Sequence, residues 1–187
     1  MPKKFWNFSV KIYQYPEVEK ACLELQDSHG LSVVMLLYCI WVGVFLGEFE
    51  DNIYAKASTF SLSWNNRVVT PLREVRRWMK GSRDERMLSG APLREQIKAV
   101  ELDAEHFQMN ILEDLHSETK GMPFGTEEQL LASARNVARY CADNGVVFDA
   151  PLLKKTSVLL VAAMEGITIE LASNALSGIV FEQEKRI

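Results

Sequence analysis

Residues 32–47, SVVMLLYCIWVGVFLG, decide how the rest of the chain is read. From Val33 to Gly47 no charge interrupts the run. A helix that is apolar on every side belongs in the middle of a larger structure. As a helix, the apolar run covers roughly 22 Å, against roughly 30 Å of bilayer hydrocarbon. The reading is therefore a buried helix of a soluble protein, with no membrane insertion. Ser32 is placed to cap its start. Glu48, Glu50 and Asp51 cluster at its carboxyl end, the wrong sign for the helix dipole, and read as a solvated turn.

Helical spacing recurs on both sides of this stretch. Upstream, Phe5, Phe8, Ile12 and Tyr15 outline a short aromatic helix, with Trp6 and Val10 on adjoining rows. Pro16 suits a first turn, Val18, Ala21, Cys22 and Leu25 form an apolar stripe, and Gly30 ends that helix. Downstream, a helix starting at Ser58 or Ser61 runs through Trp64, Val68 and Val69, and Thr70-Pro71 predicts a break or kink. Beyond it, Leu72, Val75 and Met79 are expected to face inward, with Arg73, Arg76, Arg77 and Lys80 opposite. Residues 81–91 read as a loop.

Leu93, Ile97, Val100, Ala104, Phe107 and Ile111 follow at spacings of 4 and 3, the seam of a helix packed lengthwise on a near-antiparallel partner. Residues 121–125 are a turn-rich linker. Leu130, Ala134, Val137 and Cys141 repeat the seam pattern until Asn144-Gly145 stops it. Asp149 and Pro151 open a last long segment, bent at Gly166. Strand signals are nearly absent. The expected fold is all-α, a single-domain bundle of six to seven helices around the buried helix at about 32–47. Residues 5–117 form its core part, and residues 126–181 are a C-terminal helical extension packed on it.

Bulk properties narrow the function. A net charge of −4 and a pI near 5.5 argue against a general nucleic-acid binder, which needs a dominant positive surface. Cys22, Cys39 and Cys141 are widely spaced in apolar surroundings and read as reduced core residues of a cytoplasmic protein. The start, MPKKFWNFSVKIYQYPE, lacks the apolar run of a secretory signal. No phosphate-cradling glycine loop, HExxH zinc helix or GxSxG nucleophile elbow occurs.

Three arrangements remain. Asp103-x-x-His106 and Glu113-x-x-His116 resemble the carboxylate–imidazole pairs of di-iron bundles. Both lie on one helix, however, roughly 80° out of register around its axis, and no metal or cofactor is expected. The second arrangement is a basic face of Arg67, Arg73, Arg76, Arg77, Lys80 and Arg83, continued by Arg86, Arg94 and Lys98. It suits an anion or an acidic partner. Its competing reading is internal pairing with Glu101 and Glu105, for which Arg73 and Arg77, flanking the apolar row, are the chosen partners. The third is the aromatic set Phe5, Trp6, Phe8, Tyr13, Tyr15, Tyr38, Trp41, Trp64 and Trp78, read chiefly as core and alternatively as a pocket wall.

The stretch FWNFSVKIYQYPEVEKACLELQDSHGLSVVMLLYCIWVG, followed by WNNRVVTPLREVRRWMK and LREQIKAVELDAE, resembles an uncharacterised family of small bacterial helical proteins, a conserved domain of unknown function. The resemblance covers about Phe5 to Leu115, and nothing comparable follows Gly121. It implies a soluble α-helical protein, supplies no activity and carries over no catalytic residue. Members usually have a polar residue near the position of Val34, in a V-N-L-L-like run; here it is valine. The leading functional expectation is a non-catalytic cytosolic interaction or regulatory protein whose partner meets the basic face. The alternative is a helical-bundle enzyme or carrier with a pocket for an apolar or phosphorylated small molecule, using Arg67, Arg73 and Glu101. A nucleic-acid contact through the same face is weaker, and an oligomer is left open.

Overall fold

Ser32 caps the central helix, its Oγ accepting the Met35 N–H at 3.4 Å, in a computed structural model that describes residues 4–81, 90–119 and 125–184. The helices are α1 (Phe5–Tyr13), α2 (Pro16–His29), α3 (Val33–Phe45), α4 (Asp51–Trp64), α5 (Thr70–Gly81), α6 (Ala91–Asp114), α7 (Thr126–Asp143), α8 (Ala150–Ala163) and α9 (Ile169–Glu184). A π-helical segment, Asn65–Val69, joins α4 to α5 without a break, so the described residues form eight helical rods and no strand. Gly166, at φ 80°, separates α8 from α9 instead of bending one helix, which accounts for one rod beyond the expected number. No described helix is long and apolar enough to cross a membrane.

α3 is the axis. Every residue from Val34 to Val44 is buried, and α1, α2, α6, α7 and α8 all pack on it. Its most extensive partner is α7, whose seam residues Leu130, Ala134, Val137 and Cys141 are buried as expected. The two backbones approach unusually closely. A Cβ on Gly43 would sit 2.3 Å from Ser133 Oγ and 2.4 Å from Ser133 Cα. Ser133 Oγ donates to Ile40 O at 3.3 Å. Buried Asn136 takes the Phe49 N–H at 3.0 Å and donates to Cys39 O at 3.3 Å and Gly47 O at 3.1 Å, tying the end of α3 to α7.

Glu48, Glu50 and Asp51 are exposed, as a solvated turn requires, and two of them also have partners. Glu48 and Asp51 bridge to Arg135 and Arg139 of α7, and Asp51 opens α4, where its charge has the favourable sign.

The expected break at Thr70-Pro71 is replaced by the π segment. Pro71 has no N–H for the carbonyl of Arg67 and its ring crowds that carbonyl; the wider π turn just before it absorbs both problems, so the rod continues. Two facial readings change. α5 buries no residue: Val75 is exposed, while Leu72, Arg73, Arg76 and Met79 are the half-buried positions toward its neighbours. In α6, Leu93, Val100 and Phe107 are exposed and the buried row is Glu101, Ala104, Gln108 and Leu112, with Met109 beside it. The helix is turned so that carboxylates, not the apolar seam, meet α5.

The close approach generates two predictions. Gly43→Ala should lower stability by about 1–3 kcal/mol in urea denaturation, because the added methyl meets backbone. Gly178→Ala, in open space on α9, should be neutral or stabilising by about 0.5–1 kcal/mol. Equal effects at the two sites would contradict the packing. A chain ending at Thr119 loses α7, the chief cover of α3, and should show no cooperative unfolding transition by circular dichroism.

Candidate functional site

The contact between α5 and α6 is built from charge. Arg73 Nε donates to Glu101 Oε1 at 2.9 Å and its Nη2 to Glu105 Oε1 at 2.7 Å. Arg76 Nε donates to Glu101 Oε2 at 2.5 Å and its Nη2 to Glu101 Oε1 at 3.2 Å. Glu101 therefore accepts from two guanidinium groups while only 8% of its side chain is exposed. Burial alone would raise its pKa, but the hydrogen bonds from Arg76 and Arg73 outweigh it and hold the carboxyl below the ordinary range. Glu105 goes the other way. Burial, reinforced by the neighbouring Glu101 charge, pushes it up against the pull of Arg73.

One turn further on, Arg77 Nη2 reaches Asp27 Oδ1 of α2 at 2.6 Å, in a half-exposed bridge. Internal pairing thus includes Arg73 as expected, Arg77 with Asp27 instead of a glutamate, and Arg76, which was not among the chosen partners. Arg67 is exposed on the π segment, away from the Arg73–Glu101 bridge, and Lys80 is exposed on α5; neither has an ion-pair partner among the described residues. Arg83 and Arg86 lie outside the described residues. Arg94 bridges its neighbour Glu95 at 2.8 Å.

This network also lines an apolar cleft of about 440 Å³ between α1, α2, α3, α5 and α6. That volume falls within the ordinary range for small-molecule sites, roughly 300–1,000 Å³. Its walls include Trp6, Val10, Tyr13, Leu37, Leu102 and Met109. Ser9 also lines it, 3% exposed, and its Oγ has no hydrogen-bond partner. The α1 members recur at positions 6, 9, 10 and 13, the helix face left over once Phe5, Phe8 and Ile12 enter the core. That second face is the sequence signal for the cleft: α1 is apolar on two sides, and only one is needed for folding. Tyr13 lies beside Cys22, whose thiol burial pushes up to about 11, so it is protonated and unreactive at neutral pH.

The aromatic set divides accordingly. Phe5, Phe8, Tyr38 and Trp41 are core, Trp6 and Tyr13 line the cleft, and Trp64 donates its indole N–H to Ala104 O at 3.0 Å. Tyr15 and Trp78 are exposed.

The two carboxylate–imidazole pairs do other work. Glu113 Oε2 accepts the Phe5 N–H at 2.8 Å, closing the start of α1, and His106 lies against the Trp6 ring with centroids 4.2 Å apart. His116 Nε2 meets Tyr38 Oη at 2.8 Å, and burial lowers its pKa to about 4, so the ring is neutral at pH 7. Among the described residues no group of three His, Cys, Asp or Glu side chains is placed to hold a metal ion.

Glu101 makes stability pH-dependent with a definite sign. Its folded pKa lies below the unfolded value of about 4.3, so its contribution is present above that pH and is lost as pH falls through the folded pKa. Glu101→Gln leaves two guanidinium groups short of a partner and should cost about 1–3 kcal/mol at pH 7. The gap to wild type should narrow below about pH 4.3 in urea titrations; a gap independent of pH would refute the assignment.

No curated protein and no solved structure matches the chain. The model of the family described as "Protein of unknown function (DUF2390)" matches residues 4–112, which include α1 to α5 and nearly all of α6 and so every wall of the apolar cleft. The chain belongs to that family.

Proposed function

We propose that this protein binds a small molecule with an apolar body in the cleft between α1, α3 and α6, as a non-catalytic carrier or sensor. One observation carries the reading: an apolar cleft of about 440 Å³ whose lining includes a partly buried network of arginines and glutamates. The walls supply the hydrophobic contact, and the network supplies oriented donors and acceptors. The ligand is favoured to be apolar rather than phosphorylated, because Arg73 and Arg76 are already neutralised by Glu101 and Glu105.

The same pairing weakens an adaptor role for the basic face. Of its members, Arg67, Lys80 and Lys98 keep unpaired charge among the described residues, too little for a charged docking surface. A non-catalytic role is supported by the chemistry near the cleft, where the Cys22 thiol stays protonated. Three buried thiols, none in a disulfide, suit a reducing compartment such as the cytoplasm.

The test is a fluorescence titration with 1-anilinonaphthalene-8-sulfonate as an apolar probe. Val10 and Leu102 are exposed at the cleft, so Val10→Glu and Leu102→Glu place charge in it without disturbing the core. Each should weaken probe binding about tenfold or more, equivalent to about 1.4 kcal/mol. Leu171→Glu, exposed on α9, should leave it unchanged. Equal affinities in all four proteins would overturn the proposal.

A further inference from the structure

The rod from Asp51 to Gly81 presents a single stripe to a second cavity, about 520 Å³ in volume, on the other side of Arg73. Its lining positions along the rod are 58, 61, 62, 65, 66, 69, 70, 73, 74 and 77, alternating steps of 3 and 1 across the π segment. An ideal α-helix would carry the stripe roughly 100° off line between positions 58 and 77. The wider π turn reduces that drift. The segment that lets Pro71 sit in the rod therefore also keeps one wall of a cavity in register.

What that wall offers is neutral hydrogen bonding. Ser58, Ser61, Asn65, Asn66 and Thr70 line the cavity, and none of their side chains has a hydrogen-bond partner among the described residues. Ser61 is 2% exposed, so its orphaned hydroxyl is not satisfied by bulk water. Ser58 and Asn65 are half-buried and Asn66 and Thr70 exposed, so water reaches them, whereas a buried hydroxyl without a partner costs free energy, and one beside a cavity points to something that fills it. Across the cavity stands the first turn of α3. There Ser32 Oγ takes the Met35 N–H, and the N–H groups of Val33 and Val34 have no partner among the described residues.

Charge then selects the ligand. The lining holds two arginines, Arg73 and Arg77, against four carboxylates, Asp27, Glu74, Glu105 and Asp143. Both arginines are already bridged, to Glu105 and Asp27, so no cation is left over for an anionic ligand. Glu74 and Asp143 are exposed at the rim, where solvent screens them. We infer that this cavity is a second binding site, for an uncharged small molecule bearing hydroxyl and amide-like groups, as a sugar or a nucleoside does. Such a molecule supplies donors and acceptors together, which is what paired serine hydroxyls and an asparagine amide require. The site does not depend on the apolar cleft being occupied.

Saturation-transfer difference NMR on the full chain tests this with adenosine, N-acetylglucosamine and adenosine 5′-monophosphate as probes. At least one of the two neutral probes should bind, and which one does distinguishes nucleoside from sugar. Adenosine 5′-monophosphate should bind no more tightly than adenosine. Asn65→Leu and Ser61→Ala should each weaken binding about tenfold, the equivalent of one lost hydrogen bond at about 1.4 kcal/mol. Ser61→Ala should leave the melting temperature unchanged or raised, since the hydroxyl it removes has no partner in the fold. The inference is overturned if neither neutral probe binds, if the monophosphate binds about tenfold tighter than adenosine, or if Asn65→Leu binds like wild type. Binding of 1-anilinonaphthalene-8-sulfonate should be unaffected by Asn65→Leu and Ser61→Ala, so the two sites succeed or fail separately.

Discussion

The packing of this molecule turns on one close contact, the backbone approach of α3 and α7 at Gly43 and Ser133. It requires a residue without a side chain on one helix and a small one on the other, and it leaves two polar groups in a dry place. Both are satisfied: Ser133 donates to Ile40 O, and Asn136 serves Phe49, Cys39 and Gly47. Asn136 thereby pins the chain as it leaves α3, and the bridges from Arg135 to Glu48 and from Arg139 to Asp51 fix where α4 begins. α7 thus sets the starting point of the rod from Asp51 to Gly81, and that rod contributes walls to both cavities. The family match ends at residue 112, yet the helix at its centre is covered chiefly by a helix that begins at Thr126. The C-terminal helices thus pack directly on the central helix of the family-matched part, chiefly through α7.

The seams that face an all-apolar helix were legible in the sequence, because burial on α3 demands continuous hydrophobicity at helical spacing. Val18 to Leu25 and Leu130 to Cys141 were read correctly for that reason, as were the caps at Ser32 and Asp149, where a side-chain oxygen serves an orphaned N–H. At the α5–α6 contact the pairing of Arg73 with Glu101 and Glu105 was legible, but the facing rows were misread for the complementary reason. Hydrophobic periodicity points to Val75 and Val100, but both are exposed, and it is Glu101 that is buried, against the guanidinium groups of Arg73 and Arg76. No rule of apolar spacing reports a buried carboxylate. The stripe from Ser58 to Arg77 was hidden differently: reading Pro71 as a break divided it in two, and its periodicity emerges only when the π turn is allowed for.

The consequence for dynamics follows from where the apolar burial is. α5 buries no residue and is held to its neighbours largely by Arg73, Arg76 and Arg77, whereas α3 and α7 hold the core without it. Segments with few buried apolar contacts open at lower free energy than the global transition, so α5 is the first described element expected to move. Arg73 and Arg77 border both cavities, so opening of α5 exposes both at once while leaving the core intact. A molecule bound in either cavity would touch α5 and favour its closed position only by its differential affinity for that state. The bridges differ in strength along the helix: Glu101 is buried between Arg73 and Arg76, whereas the Arg77–Asp27 bridge is half-exposed and screened, so α5 is held more weakly at Arg77 than at Arg73.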